Sequence, residues 1–246
     1  SDDGATQQTF TIATGSFVNG NNTIAVEIHQ SAANSSDISF DMALSGNPIS
    51  SSTTLIPFNS SWKYLDKGTN QGTAWRAAGF NDATWLSGNA QLGYGDGDEA
   101  TTVSYGTSAS NKYITTYFRK AISVPDISQF TGYTLSLKRD DGAVVYLNGT
   151  EIFRTNMPTG TISYTTRATA AASDDGNTAQ VKTLTTSQII QGTNTIAVEI
   201  HQNVNTSSDC SFDLELKATT TGGGGGGTTA TLTRGPYLNS ALQNGI

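Results

Sequence analysis

The densest group of carboxylates in the chain lies in the segment Gly93-Tyr-Gly-Asp-Gly-Asp-Glu99. Asp96, Asp98 and Glu99 fall within four positions, and the glycines between them let the backbone fold around a small ion. Ca²⁺ binds oxygen atoms from carboxylates and main-chain carbonyls, and such a loop supplies both. We therefore predict one structural Ca²⁺ at this loop. The alternative is a solvated acidic turn.

Two further pairs of acids, Asp140-Asp141-Gly142 and Asp174-Asp175-Gly176, each precede a glycine. Aspartate side chains hydrogen-bond to their own backbone in turns, which explains both sequences without a ligand. A glycosidase needs two carboxylates about 5–9.5 Å apart across a cleft, and no sequence pattern places two acids in that way. No Gly-x-Ser-x-Gly nucleophile motif occurs either. We therefore expect no catalytic site in this chain.

The two histidines, His29 and His201, each follow the same Ile-Ala-Val-Glu-Ile sequence. A zinc site needs about three converging ligands, and two separate histidines with a single cysteine do not supply them. We expect a buried or half-buried histidine that hydrogen-bonds the loop containing Ser208 and Asp209.

Aromatic residues offer another route to a ligand, because a sugar ring can stack on an exposed aromatic ring while polar neighbours bind its hydroxyls. We expect Trp62, Trp75 and Trp85 in a core, since large aromatic side chains bury much apolar area. Tyr94, flanked by glycines beside the acidic loop, is predicted to be an exposed platform. The candidate ligand-binding residues are Tyr94, Asp141, Asn148 and Arg154.

Several short segments alternate polar and apolar residues, which is the pattern of antiparallel strands with one buried and one solvated face. The clearest of them span residues 117–124, 133–138, 143–147, 151–154, 195–201 and 211–217. Asn148-Gly149, between two of these segments, is a strong hairpin signal. Short helical turns are expected within 73–78 and 186–190. The sequence therefore predicts an all-β fold, a β-sandwich of the jelly-roll type.

The alternation also predicts which side chains face the core. Ile196, Val198 and Ile200 should point inward, since they are two positions apart. Phe212, Leu214 and Leu216 should lie beside them for the same reason. Glu199 is then predicted on the opposite, solvated face.

A long internal repeat divides the chain. Residues 1–46 match residues 173–218 without a gap, at the constant offset of 172 positions that separates His29 from His201. A repeat of this length indicates tandem domains rather than the shorter units of a solenoid. We predict the end of a preceding sandwich at 1–46, a complete module at 47–219, a flexible Gly/Thr-rich linker at 220–229 and the first strands of another domain at 230–246.

The composition restricts the partners. The net charge is −7 and the 13 basic residues are scattered, so nucleic acid is not expected as a partner. No apolar run is long enough to cross a bilayer, so no membrane insertion is expected. The single Cys210 excludes an internal disulfide and should be a small buried residue.

Three stretches carry a resemblance to a known family. Trp62-Lys-Tyr-Leu-Asp-Lys-Gly68 with Trp75 and Phe80–Trp85, Arg139–Arg154, and Gly192–His201 resemble the galactose-binding-like, sugar-binding jelly-roll domain of family 2 glycoside hydrolases. In those enzymes this domain is usually a non-catalytic accessory. Thr233-Arg-Gly-Pro-Tyr-Leu238 is similar to the start of the fibronectin-III-like domain of purple acid phosphatases.

The resemblance implies a non-catalytic module of a large secreted or cell-surface protein, of the kind found in bacteria, with glycans as possible ligands. One alternative is a structural spacer, adhesin or filament-forming repeat, in which neighbouring copies of the protein are the partners. Another is an accessory region of a downstream metallophosphoesterase. Ile24, Val26 and Ile28 in the first repeat carry the same apolar pattern, which something must cover. Either the rest of that module in a longer chain covers it, or a neighbouring copy completes the sheet by strand addition and builds an array.

Overall fold

The computed structural model describes residues 6, 8–18, 21–35, 38, 40–45 and 50–221. Contacts divide the chain into two compact units, one of residues 50–220 and one of residues 1–49 with 221–246. The strands of the first unit are β1 (Ser50–Ile56), β2 (Ser61–Leu65), β3 (Leu86–Asn89), β4 (Leu92–Tyr94), β5 (Thr101–Thr102), β6 (Thr115–Val124), β7 (Phe130–Asp140), β8 (Gly142–Leu147), β9 (Thr150–Thr155), β10 (Gln180–Leu184), β11 (Gly192–His201) and β12 (Cys210–Thr221). Short 3₁₀ turns lie at Thr14–Ser16, Ala74–Arg76 and Thr186–Gln188.

The strands form two sheets. Sheet A has the order β10-β7-β12-β4-β5, with β1 also paired to β12, and sheet B has the order β3-β2-β6-β11-β8-β9. The chain moves between the sheets repeatedly, from β6 in sheet B to β7 in sheet A and back to β8 in sheet B. The sheets are largely antiparallel, with β4 and β5 paired in parallel. Such winding between two sheets is what a jelly-roll β-sandwich requires. The predicted all-β class and sandwich are confirmed.

The main core lies between the two sheets. Ile196, Val198 and Ile200 of β11 are buried in it, as are Phe212, Leu214 and Leu216 of β12, so the predicted inward faces are confirmed. The Phe118 and Phe212 rings stack with centroids 4.1 Å apart, and Trp62 meets Phe212 edge-on at 5.0 Å. Each such pair adds about 0.5–1.5 kcal/mol beyond the area it buries.

A second core covers the outer face of sheet B. Trp75, Trp85 and Tyr117 pack there with Tyr146 and Ala197, under residues of the connections after β2 and β9. The three tryptophans are therefore core residues, as predicted. Glu199 points into this second core and is 2% exposed, so the prediction of a solvated Glu199 is wrong. Alternation along β11 identified the two faces, but long connections bury both of them.

All six predicted strand segments fall within strands of the structure, and the predicted hairpin and helical turns are present. Asn148 and Gly149 form the two-residue turn between β8 and β9, and the 3₁₀ turns at 74–76 and 186–188 fall in the segments expected to be helical. Asp140-Asp141-Gly142 connects β7 in sheet A to β8 in sheet B rather than forming a hairpin. Cys210 is buried and free, as expected. No helix in the described ranges is both long and apolar enough to span a bilayer.

The first repeat differs from the second. Residues 22–30 carry the same nine residues as 194–202, yet no strand is assigned anywhere in the described stretch 21–35. Ile24, Val26 and Ile28 are between 45 and 47% exposed. The proposed domain boundaries stay a prediction. Most of the linker at 220–229 and all of the tail at 230–246 lie outside the described residues.

Candidate functional site

One end of sheet A gathers residues that are far apart in the sequence. Ser211 at the start of β12 pairs with Asp140 at the end of β7 on one side and with Gly93 of β4 on the other. The loop after β4, the turn before β10 and the residue that precedes β12 therefore meet at the same end of sheet A. Each of these segments contributes an aspartate.

Asp96, Asp175 and Asp209 form what we call the carboxylate cluster. One carboxylate oxygen from each lies within 4.8 Å of those of the other two. Ser211 Oγ donates a hydrogen bond to Asp96 Oδ2 at 2.9 Å, which fixes the loop after β4 against β12. The Asp209 carboxyl, by its hydrogen bonding and then its charge, raises the pKa of Asp175 above its ordinary value.

Asp140 lies directly behind this cluster. Its side chain is 2% exposed and its Oδ1 atom has no hydrogen-bond partner. Burial, reinforced by the carboxyl groups of Asp141 and Asp209, raises the pKa of Asp140 to about 9. This end of the sandwich therefore concentrates acidic groups that burial and mutual repulsion keep from ionising freely.

Asp141, a predicted ligand-binding residue, has a structural role. Its Oδ1 accepts the backbone N–H of Ala172 at 2.8 Å, and its Oδ2 accepts that of Asn203 at 2.8 Å. The buried carboxylate thus joins the connection before β10 to the loop after β11. This use of the side chain explains its burial without a ligand.

The predicted calcium loop has a compact internal structure. Oxygen atoms of Asp96, Asp98 and Glu99 also approach within 4.8 Å of one another. The two Glu99 oxygens accept the backbone N–H groups of Asp96 and Gly97, and Asp98 Oδ1 accepts from Gln91 Nε2 at 3.0 Å. Asp96 is thus shared by both groups of acids, and a Ca²⁺ held by this loop stays a prediction.

Tyr94 is not an exposed platform, and that prediction is wrong. The side chain is 6% exposed because β4 lies inside sheet A, between β12 and β5. Its ring meets Tyr105 edge-on at 5.1 Å and lies 4.8 Å from Lys112 Nζ. Burial raises the pKa of Tyr94 well above its ordinary value. The flanking glycines, which suggested exposure, let neighbouring main chain approach instead.

Asn148 and Arg154 do not join the other predicted residues in one site. Asn148 occupies the β8–β9 turn, at the opposite end of β8 from Asp141. Arg154 forms a two-pronged ion pair with Glu151, with both contacts at 2.8 Å, and its guanidinium also donates to the Pro158 and Gly160 carbonyls. The four predicted residues lie in four different elements: β4, the β7–β8 connection, the β8–β9 turn and β9.

The histidine expectation is half right. His201 is fully buried, but its Nδ1 donates to the Thr166 carbonyl oxygen at 2.7 Å, not to the Ser208–Asp209 loop. Its Nε2 lies 3.4 Å from Glu199 Oε2. His29 in the first repeat is exposed, with its side chain 81% accessible. The two histidines follow the same local sequence but differ in exposure. The environment of His201 comes from distant residues such as Thr166, which lie outside the repeated sequence.

A cleft that sequence reasoning missed lies beside the loop before β6. The tyrosine cleft, as we call it, has a volume of about 340 Å³ and is lined by Gly68, Asn111, Lys112, Tyr113, Ile114, Thr115, Tyr164 and Thr165. Tyr113 and Tyr164 are both half-buried. Neither tyrosine belongs to a motif identified in the sequence. Only the tertiary structure shows that both line one cleft.

The walls of the tyrosine cleft are held by the main chain. Tyr113 N donates to Tyr105 O at 3.1 Å, and a Cβ atom added at Gly68 would lie 2.2 Å from the Tyr113 ring. One side of this ring therefore rests on bare backbone. Thr115 Oγ1 donates to the Tyr164 carbonyl at 2.6 Å, which fixes the opposite wall. Lys112 Nζ donates hydrogen bonds to the carbonyl oxygens of Ser207 and Ser208.

The fold and these sites define an all-β, two-sheet sandwich module with an acidic end and an aromatic cleft. No protein-family model matches the chain, and no curated protein matches it. Among solved structures it is similar to a β-glucuronidase from Bacteroides uniformis, with 18% identity, a TM-score of 0.46 and coverage of 69% of this chain and 18% of the enzyme.

Two further solved structures are also similar to the chain. A β-glucuronidase of glycoside hydrolase family 2 matches with 17% identity and a TM-score of 0.45, over 72% of this chain and 18% of the enzyme. A β-glycosidase from Bacteroides vulgatus matches with 18% identity and a TM-score of 0.40, over 68% of this chain and 20% of the enzyme. The chain thus corresponds to about a fifth of the length of these enzymes.

Proposed function

We propose that residues 50–220 form a non-catalytic β-sandwich module that binds a glycan in the tyrosine cleft. The observation that carries the proposal is the pair of half-buried tyrosines, Tyr113 and Tyr164, around one opening of about 340 Å³. This volume falls in the range of about 300–1,000 Å³ that is typical of small-ligand sites. The C–H faces of a sugar ring can stack on the tyrosine rings.

The polar groups of the cleft suit a sugar. Within the described residues, no hydrogen bond to the phenolic hydroxyl of Tyr113 or Tyr164 occurs, so both remain available to sugar hydroxyls. The exposed Asn111 also lines the cleft. Its Oδ1 accepts from Asn205 Nδ2 at 3.0 Å, and its Nδ2 can donate to a sugar hydroxyl. Sugar recognition by a few hydroxyl and amide groups beside aromatic rings requires no charged partner.

The same lining argues against hydrolysis. It contains no aspartate, glutamate or histidine. A glycosidase of the usual type requires two carboxyl groups that flank the bond to be cleaved. Binding without turnover is therefore the chemistry that the cleft supports. The secreted or cell-surface setting, the array of neighbouring copies and the downstream metallophosphoesterase remain predictions from the sequence.

Binding can be tested on a microarray of microbial, plant and animal glycans, followed by calorimetric titration of the strongest ligand. We expect Tyr113→Ala and Tyr164→Ala each to weaken that binding at least tenfold, because each removes a stacking surface. Val181→Ala, an exposed apolar change on β10 outside the cleft, is the control and should bind as the unmodified protein does.

Two results would contradict the proposal. One is that no glycan on the array binds the protein. The other is that both tyrosine variants, shown by their circular dichroism to be folded, bind the selected glycan as tightly as the Val181→Ala control.

A further inference from the structure

The three acids of the carboxylate cluster belong to three different segments that the sandwich brings together. Asp96 lies in the loop after β4, Asp175 in the turn before β10 and Asp209 directly before β12. Oxygen atoms from all three approach within 4.8 Å. Asp96 and Asp175 are exposed and Asp209 is half-buried, so a cation can reach the cluster from solvent. Negative charges at this separation repel one another, and a bound cation would relieve that repulsion.

No side chain supplies that charge. Among the ion pairs within residues 50–220, none involves Asp96, Asp140, Asp175 or Asp209. Arg139, the nearest basic residue in sequence to Asp140, pairs with Asp174 at 3.2 Å.

Asp140 is the independent sign of a missing partner. The residue is 2% exposed, and no donor hydrogen-bonds its Oδ1. Its carboxyl group lies against those of Asp141 and Asp209, so it faces the cluster. A Cβ atom added at Gly176 would lie 3.4 Å from Asp140 Cβ and 2.8 Å from Ser211 Cβ, so the Asp175–Gly176 turn rests directly on Asp140. The buried, unpartnered oxygen therefore belongs to a residue that forms the floor of the cluster. Buried polar atoms without a partner are uncommon and call for an explanation such as a bound ion.

We propose that Asp96, Asp175 and Asp209 bind one Ca²⁺ ion at the end of sheet A, with Asp140 beneath it. All the groups that converge there offer oxygen, which Ca²⁺ and Mg²⁺ prefer to nitrogen or sulfur ligands. The ligands come from loops, and Ca²⁺ accepts their irregular geometry, whereas Mg²⁺ demands near-ideal octahedral coordination. The ion would join three segments that are far apart in the sequence.

The proposed ligands Asp96, Asp175 and Asp209 share only Asp96 with the calcium loop predicted from the sequence. That loop contains Asp98 and Glu99 instead of Asp175 and Asp209. Asp98 accepts a hydrogen bond from Gln91, and Glu99 accepts from the backbone N–H groups of Asp96 and Gly97. The Asp175 carboxyl instead lies against the carboxyl group of Asp209, another member of the cluster. The internal repeat carries Asp3 and Asp37 at the positions equivalent to Asp175 and Asp209. The loop that contains Asp96 has no counterpart in the first repeat.

The test uses calorimetric titration of the whole chain with CaCl₂ after removal of bound metal by a chelator, with MgCl₂ as the comparison. We expect Ca²⁺ to bind and to raise the melting temperature, and Mg²⁺ to bind at least tenfold more weakly. Asp175→Asn should weaken Ca²⁺ binding at least tenfold. Asp175 has φ +52°, a conformation that asparagine tolerates well, so this variant keeps its fold.

Asp98→Asn is the matched control, since it makes the same chemical change in the neighbouring acidic loop. We expect it to bind Ca²⁺ as tightly as the unmodified protein. Absence of Ca²⁺ binding would overturn the proposal. So would loss of binding in Asp98→Asn together with retention in Asp175→Asn, which would assign the ion to the loop alone. Neither outcome bears on the glycan proposal, because the tyrosine cleft contains no residue of the cluster.

Discussion

Glu199 is a buried carboxylate that the fold surrounds with donors. Its Oε1 accepts from Tyr146 Oη at 2.7 Å and from Arg76 Nη2 at 3.2 Å, while Oε2 faces His201 Nε2. Burial acts to raise the pKa of Glu199, but the interactions with His201, Tyr146 and Arg76 outweigh it, so the net pKa is lowered. The side chain is therefore a charged centre of the second core.

Removal of this charge should destabilise the module. We expect Glu199→Gln to reduce the free energy of unfolding by about 3–5 kcal/mol, because Arg76 would be left without its buried partner. Glu151→Gln on the exposed rim of β9 is the control, and we expect a change of about 1 kcal/mol or less. Urea denaturation followed by tryptophan fluorescence measures both. Equal losses in the two variants would contradict this role.

The contribution of Glu199 to the stability of the module should also depend on pH. A carboxyl group whose pKa is lower in the folded state stabilises that state above its unfolded pKa, and the contribution is lost as the pH falls through the folded pKa. The difference in stability between the unmodified protein and Glu199→Gln should therefore narrow under acidic conditions. Denaturation curves at neutral and strongly acidic pH check this. A difference that is constant with pH would show that charge is not its cause.

At the scale of elements, the β8–β9 hairpin depends on its two-residue turn. Asn148 has φ +52° and Gly149 has φ +89°, which is the pattern of a type I′ turn. Asn148 also fastens the turn to β11, since its Oδ1 accepts the Thr195 N–H at 2.8 Å and its Nδ2 donates to Asn194 Oδ1 at 2.9 Å. The turn thus fixes the end of two neighbouring strands.

Gly149→Ala should destabilise the protein by about 1–2 kcal/mol, because an L-residue at this φ is strained. An added methyl group would meet only ordinary contacts at 3.8 Å or more, so the backbone conformation alone is responsible. Gly79→Ala is the matched control, because Gly79 has no positive φ and no atom within 4 Å of an added Cβ. Thermal denaturation compares them. A control variant as unstable as Gly149→Ala would contradict the argument.

At the scale of the whole molecule, residues 50–220 contain both cores. Every residue of the core between the sheets and of the core outside sheet B falls in this range. β12 closes sheet A by pairing with β1, β4 and β7 and contributes Phe212, Leu214 and Leu216 to the main core. The unit therefore carries its own hydrophobic interior, the main requirement for folding alone.

We expect a protein of residues 50–221 to unfold cooperatively, with a melting temperature within a few degrees of that of the whole chain. A protein of residues 50–209 lacks β12 and should not fold, because sheet A would lose its central strand. Circular dichroism and calorimetry distinguish the cases. A fragment 50–221 that fails to unfold cooperatively would show that the remaining residues are required.

The local sequence determined the parts of this protein that depend on neighbours along the chain. Alternation marked β6, β7, β8, β9, β11 and β12, because a strand with one face in the core repeats every two residues. Asn148-Gly149 determined a tight turn, because both residues accept positive φ. The alternation did not mark β1 to β5 or β10, whose short, polar or mixed sequences form strands because neighbouring strands supply hydrogen bonds.

Only the tertiary structure decided which distant residues meet and which faces are covered. Identical residues at 22–30 and 194–202 differ in outcome, since β6 and β8 pair with the second copy. Glu199 is buried because distant connections cover its face of β11, and Asp175 reaches Asp96 and Asp209 because sheet A aligns the ends of its strands. A strand has no internal hydrogen bonds to sustain it, so its existence, its exposure and its sites depend on partners that local sequence does not contain.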